Sequence, residues 1–188
     1  MKERDGMALA DEQAMQALLR VVGDDAAAGL VQVDGLLAEH PDDARLHFLR
    51  ASLLVGTRPI EAHAAFQRAV ALAPDFALAR FQLGFFELTS GEGARAIATW
   101  EPLLALPDDH YLRCFAIGLT HLVHDRFAEA VAALREGIAR NTETLPLNGD
   151  MQLLIAECEA QADGAAAPVE ASATSFLLDP LGGGRVLH

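Results

Sequence analysis

The chain has 188 residues, which is enough for one domain with a core or for a short array of structural repeats. It is 52% hydrophobic, and its 27 acidic and 14 basic residues give a formal net charge of −13. Such a surface repels nucleic-acid phosphates and anionic lipid headgroups, so we expect no nucleic acid and no membrane as partners. The abundance of alanine and leucine over β-branched residues favours helices packed on helices.

The N-terminal segment and the cysteines indicate a cytoplasmic protein. Residues 1–15 alternate charges and lack the apolar stretch of a secretory signal. No run of the sequence approaches the roughly 20 apolar residues that a membrane span requires. Cys114 and Cys158 lie far apart and form no pair of the kind that binds metals. We therefore expect a reducing, cytoplasmic environment.

A period of about 34 residues runs along the chain. Alanines recur at this spacing, and a mostly bulky residue follows each of them four positions later. The alanines are Ala28, Ala62, Ala96 and Ala130, and the residues that follow them are Gln32, Phe66, Trp100 and Leu134. Gly84 and Gly118 also lie one period apart, each in the middle of a predicted helix. The pattern predicts stacked helix–turn–helix units in which small residues let two helices approach closely and a bulky residue fills the adjacent space.

The predicted units follow one another from residue 8 to residue 163. Prolines 41, 74 and 107 mark their boundaries, because proline suits a helix start and poorly continues a helix. Helix pairs are expected at about 8–40, 41–73, 74–107 and 108–141, with a capping helix at about 148–162. Pro102 falls inside a predicted second helix, where we expect a kink or an early break. Residues 164–175 are predicted to form a flexible, alanine-rich linker, and residues 176–188 an apolar tail.

Two stretches carry the repeat most clearly, PDFALARFQLGFFELTSGEGARAIATWEPLLALP and DDHYLRCFAIGLTHLVHDRFAEAVAALREGIARN. Each has a leucine-glycine or isoleucine-glycine pair, a turn, an alanine and then a bulky residue. In these features, over about residues 8–141, the chain resembles the tetratricopeptide repeat (TPR) family. The resemblance implies an all-α solenoid of helix–turn–helix repeats, with about four helix pairs here and a C-terminal capping helix. It also implies that the first helices line a concave face where partners bind.

One register of the first helices defines a candidate peptide-binding groove. Its residues are Phe48, Ser52, Phe81, Phe85, Leu88, Phe115, Leu119 and Leu122. Because this surface is apolar, we expect as partner another protein or peptide with an apolar or amphipathic segment. Trp100 and Phe86 are interpreted as structural. The alternative, that all of these rings belong to the core, stays open.

The tail supplies an apolar segment of its own. Its large residues are Phe176, Leu177, Leu178 and Leu181. We expect this segment to dock in the groove of its own chain or of a neighbouring one, in the latter case with self-association. The alternatives are that it adds to another surface or is an unstructured end.

No pattern in the sequence indicates catalysis. His121 and His124 lie three residues apart beside Asp125, but no third ligand is evident, so we expect no metal and no cofactor. Cys114 is interpreted as a small buried hydrophobic residue. The sequence therefore favours a non-enzymatic protein–protein interaction module or adaptor. The alternative is a small, acidic, secretion-type chaperone that shields an export substrate.

Overall fold

The structure of the protein, a computed structural model, describes residues 9–163. The predicted linker and the tail with Phe176, Leu177, Leu178 and Leu181 lie outside the described residues. Between residues 9 and 163 the chain forms nine α-helices and one 3-10 helix, and no strand. The chain divides into two compact units. Unit 1 ends at Ala79 and unit 2 begins at Arg80.

Unit 1 contains four complete helices, three of which are capped by aspartate and one of which starts on proline. The helices are α1 (Glu12–Asp24), α2 (Ala26–Glu39), α3 (Ala44–Leu54) and α4 (Pro59–Leu72). The carboxylates of Asp11, Asp25 and Asp43 accept hydrogen bonds from the free backbone N–H groups at the starts of α1, α2 and α3. The fourth helix has no such cap and starts instead on Pro59, whose ring fixes a helical φ.

Unit 2 contains the remaining helices. They are α5 (Ala77–Thr89, which starts at the end of unit 1), α6 (Gly93–Trp100), a 3-10 helix (Glu101–Ala105), α7 (Tyr111–Val123), α8 (Phe127–Arg140) and α9 (Pro146–Asp163). The early break predicted at Pro102 is confirmed, since α6 ends at Trp100 and the chain tightens into the 3-10 helix. Proline has no N–H to donate to the preceding turn, so the α-helical pattern cannot continue through it.

The pairing of small and bulky residues that the period predicts is present in unit 2. A Cβ atom built on Gly84 would lie 2.6 Å from Cε2 of Trp100, and one on Gly118 would lie 2.7 Å from Cδ2 of Leu134. Ala96 and Ala130 of the same repeats are fully buried. The glycines therefore allow α5 to contact α6, and α7 to contact α8, at a distance that a larger residue would prevent.

The first repeat departs from the predicted register by one residue. Ala28 is exposed, whereas its neighbour Gly29 is buried, and a Cβ on Gly29 would meet Cγ2 of Val22 at 2.7 Å. Val33, four residues after Gly29, is fully buried and takes the place expected for Gln32. The physical reason is polarity, because a one-residue shift turns Val33 into the core and turns Gln32 toward its edge.

Candidate functional site

The residues predicted to line a groove divide between the two units and differ in exposure. In unit 1, Phe48 is half-buried and Ser52 is exposed. In unit 2, Phe85 is half-buried. The others have 0% exposed surface, and they are Phe81, Leu88, Phe115, Leu119 and Leu122. The sequence analysis expected these five side chains to line an open surface, but they are buried. Burial in the core is the alternative that the sequence analysis left open. Whether any of the eight binds a peptide stays a prediction.

Phe81 lies in the middle of an aromatic cluster, which accounts for its burial. Its ring centroid is 6.2 Å from that of Trp100, 6.1 Å from that of Phe85 and 5.9 Å from that of Phe115. The indole Nε1 of Trp100 donates a buried hydrogen bond of 3.0 Å to the backbone oxygen of Phe81. Ring and backbone of Phe81 are thus both part of the packing of unit 2.

Phe115 is buried because it packs over a glycine of the next helix. A Cβ atom on Gly137 of α8 would lie 2.5 Å from Cε1 of Phe115. The ring of Tyr111 meets Phe115 edge-on, with centroids 5.9 Å apart. Phe115 therefore faces the α7–α8 contact, where it contributes to the core rather than to a surface.

In unit 1, by contrast, one side of α3 remains accessible. Arg45, Phe48, Ser52 and Val55 recur at intervals of three or four residues and so lie on one side of the helix. Ser52 is exposed, Val55 is 43% exposed, and the ring of Phe48 rests against Phe76 with centroids 5.2 Å apart. The hydroxyl of Ser52 donates to the backbone oxygen of Phe48 at 3.0 Å, so its proton is already bonded. Beyond Arg45, this side of α3 therefore carries two apolar side chains and one satisfied hydroxyl.

A network of hydrogen bonds fixes the start of α1 against the start of α3. The backbone N–H of Ala10 donates to Oδ2 of Asp43 at 3.0 Å, and Nη2 of Arg45 donates to the backbone oxygen of Ala10 at 2.7 Å. Arg45 and Asp43 also form an ion pair of 2.6 Å. Burial by itself would raise the pKa of Asp43, but the hydrogen bonds from Arg45 and Ala10 outweigh it, and the pKa is lowered. The carboxylate is thus held ionised at the junction of the two helices.

Residues of α1 and α3 share part of the core of unit 1. Leu18 of α1 and Leu46 of α3 belong to one core cluster, and Val22 and Leu53 pack against that cluster. The pKa of Arg45 is raised, mainly by its hydrogen bond to Asp43, and the negative charge of Glu12 adds a smaller increase. Leu19 lies seven residues, or two helical turns, after Glu12 and therefore on the same side of α1. Ser52 lies seven residues after Arg45 and therefore on the same side of α3.

We call the set of Leu19, Phe48, Ser52 and Val55, which are exposed or half-buried residues of unit 1, the α1–α3 face. Leu19 is 51% exposed and Val55 is 43% exposed. The sequence analysis did not include Leu19 among the groove residues. The shared seven-residue interval from Glu12 to Leu19 and from Arg45 to Ser52 is the signal that points to it.

The described part of the chain has two buried cysteines and several histidines that bear on catalysis and metal binding. Among residues 9–163, no group of three or more histidine, cysteine or acidic side chains is placed to hold a metal ion. His124 instead contacts the backbone oxygen of Thr120 through Nδ1 at 2.7 Å. Cys114 and Cys158 are buried, and burial raises the pKa of both thiols, that of Cys158 to about 11. Both thiols therefore stay protonated at neutral pH and are poor nucleophiles.

None of the helices between residues 9 and 163 combines the length and the apolar character that crossing a bilayer requires.

Comparisons with known proteins bear on the fold. No protein-family model matches the sequence, and no curated protein matches it. The solved structure of MamA from residue 41 to the end, from Desulfovibrio magneticus RS-1, is similar with a TM-score of 0.57 and 14% sequence identity, over 83% of this chain and 92% of that one. The MamA RS-1 ArsTM double mutant gives a TM-score of 0.57 and 12% identity, over 84% and 99%. At such identities the likeness shows the fold alone. Together with the helix pairs described above, it confirms the all-α, TPR-like helical-repeat fold class.

Proposed function

We propose that this protein is a protein–protein interaction module and that the α1–α3 face holds an apolar or amphipathic segment of a partner. The observation that carries the proposal is the exposure of Leu19, Ser52 and Val55 in a unit where residues of α1 and α3 share one core cluster. Large apolar side chains exposed next to one another are typical of interaction sites. The TPR-like fold supports the proposal only by analogy, because one fold serves many functions.

The shape of the face favours one large apolar side chain of the partner at its centre. Such a side chain would lie over Ser52, contact Leu19 and Val55, and approach the exposed part of the ring of Phe48. The hydrogen bonds among Ala10, Asp43 and Arg45 hold the two helices in place before the partner arrives, which lowers the entropy cost of binding. The site is therefore pre-organised rather than formed on binding.

The net charge of the protein limits the kind of partner segment that we expect. The formal net charge of −13 disfavours an acidic segment and speeds the approach of a basic one. We therefore expect an amphipathic segment whose apolar residues contact the face and whose polar side is neutral or basic. The narrower role of a secretion-type chaperone, which would cover an apolar export segment, stays a prediction, and so does a contribution of Phe85.

The test uses peptides selected from a random library displayed on phage against the full-length protein. A selected peptide is synthesised and titrated into the labelled protein, and its contacts are mapped by the NMR shifts of backbone amides. We expect the largest shifts at Leu19, Ser52 and Val55. Binding that shifts only amides of unit 2 would refute the proposed site.

Two variants at exposed positions sharpen the test. Ser52→Arg fills the centre of the face without touching the core, and should weaken binding by at least about tenfold, or about 1.4 kcal/mol. Gln67→Arg introduces the same side chain at an exposed position of α4 and should leave the affinity unchanged. Equal affinities of the two variants would contradict the proposal.

A further inference from the structure

The last helix of the described chain, α9, is apolar on two opposite faces. Its inner face consists of Leu147, Met151, Leu154 and Cys158, which are at most 6% exposed, and it packs on α8. Its outer face carries Gly149, Leu153, Ala156 and Ala160 at the same spacing of four, three and four residues. All four are exposed, and Leu153 is 69% exposed. A helix that is apolar on both sides is typical of one covered on both sides.

The outer face of α9, defined by Gly149, Leu153, Ala156 and Ala160, has a polar boundary. Helical geometry places Gln152 and Glu159 along one edge of it and Asp150 and Glu157 along the other. Glu159 is held to the side by an ion pair with Arg135 of α8, and Glu157 accepts a hydrogen bond from Gln161. Within residues 9–163, no heavy atom other than those of its own helix and chain neighbours lies within 4 Å of a Cβ built on Gly149. The face is thus an open, apolar strip with room above its small residues.

We propose that the outer face of α9 is the docking site of the chain's own C-terminal segment, residues 176–181. This segment contains Phe176, Leu177, Leu178 and Leu181. In the sequence, residues 164–175 connect it to the end of α9. Its large side chains complement the small residues of the face, because glycine and alanine let another backbone approach closely. The proposal is independent of the α1–α3 face and goes beyond the binding of a partner.

The length of the connecting segment supports this occupant. A linker of about a dozen small residues spans about 20 Å on average. The helix rises about 1.5 Å per residue, so Leu153 lies about 15 Å from Asp163 along its axis. A tether whose mean span matches the distance to the site gives an effective concentration in the millimolar range. The segment can therefore occupy a strip too small to hold an untethered partner.

The size of the strip argues against a second copy of the chain as occupant. From Gly149 to Ala160 the face is about 16 Å long and one helix wide. A stable interface between separate proteins buries about 800 Å² on each partner, which is more than this strip provides.

Amide hydrogen exchange of the full-length protein tests the proposal. Residues 176–181 should exchange at least about tenfold more slowly in the wild type than in a Leu153→Glu variant. Gln152→Glu is the control, because it adds the same charge one residue away, on the polar edge of the face. Phe176→Ser should cause the same loss of protection as Leu153→Glu. Because Leu153 is largely exposed, we expect the Leu153→Glu variant to fold. Unchanged amide exchange in α7 and α8 will verify that it does.

Any one of three other outcomes would overturn the proposal. Fast exchange of residues 176–181 in the wild type would mean that the segment does not dock. Protection that survives Leu153→Glu would place the segment elsewhere. Protection that grows over about a hundredfold rise in protein concentration would make a second copy the occupant. Ser52→Arg should leave this exchange unchanged, so the present proposal and the proposed function can fail separately.

Discussion

Replacing Gly84 by alanine would place a methyl group against the indole ring of Trp100. The new Cβ would lie 2.6 Å from Cε2 and 2.7 Å from Cδ1 of that ring. Favourable contacts between carbon atoms occur at about 3.5–4.0 Å, so one of the two groups must move. Trp100 is 1% exposed, and its Nε1 is bonded to the backbone oxygen of Phe81, so the ring cannot shift without losing packing and a hydrogen bond.

The expected change in stability is a sum of three effects. Alanine gains about 1 kcal/mol over glycine inside a helix. Overpacking a well-filled core costs about 1–3 kcal/mol. Weakening the buried hydrogen bond of the indole costs about 1 kcal/mol more. We therefore expect Gly84→Ala to lower the free energy of unfolding by about 1–3 kcal/mol, despite the better helix former.

Gly35→Ala is the matched control for this substitution. Gly35 is exposed within α2, and no atom of the described residues beyond its own helix and chain neighbours lies within 4 Å of a Cβ built on it. Only the helix preference remains there, so this variant should be more stable than the wild type by up to about 1 kcal/mol. The two variants make the same chemical change in helices and should differ in sign.

Urea unfolding followed by circular dichroism measures the two free energies. If the contact with the ring is the cause, Gly84→Ala should cost much less in a Trp100→Leu background, because leucine leaves room for the methyl group. Equal effects of Gly84→Ala and Gly35→Ala, or an unchanged cost in the Trp100→Leu background, would refute the reasoning.

Two further predictions concern Phe81 and Asp43. Phe81→Ala should lower the free energy of unfolding by about 3–5 kcal/mol, and Phe85→Ala, at a half-buried site, by about 1–2 kcal/mol. Similar losses in urea unfolding would contradict the assignment of Phe81 to the core. The pKa of Asp43 is lowered from 3.8, so its carboxylate stabilises the folded state above that value, and the contribution is lost as the pH falls through the lower folded pKa. In the Asp43→Asn variant, the free energy of unfolding should therefore fall less steeply at acidic pH than in the wild type. An equally steep fall in the two proteins would exclude this role of Asp43.

The contacts inside the repeats were predictable where glycine and a bulky residue recur together. Gly84 with Trp100 and Gly118 with Leu134 follow directly from the period, since close approach of two helices needs a missing side chain. The end of α6 before Pro102 was predictable from the missing N–H. The first repeat was not, because Ala28 and Gly29 are both small and only the burial of Val33 decides between them.

The exposure of the predicted groove could not be read from the sequence. Spacing assigns Phe48, Phe81 and Phe115 to equivalent positions, yet one is half-buried and two are fully enclosed. The difference lies in contacts between residues far apart in the sequence, such as Phe115 over Gly137. A period indicates which side of a helix is apolar, but what covers that side depends on neighbouring helices.

The location of Trp100 determines what spectroscopy will report about this molecule. The chain has one tryptophan and one tyrosine, Trp100 and Tyr111, and both are buried residues of unit 2. Intrinsic fluorescence therefore follows the unfolding of unit 2 alone, whereas circular dichroism follows the helices of both units. Coincident transitions would mean that the two halves of the chain melt as one cooperative system. Separate transitions would give the stability of each half from a single unlabelled sample.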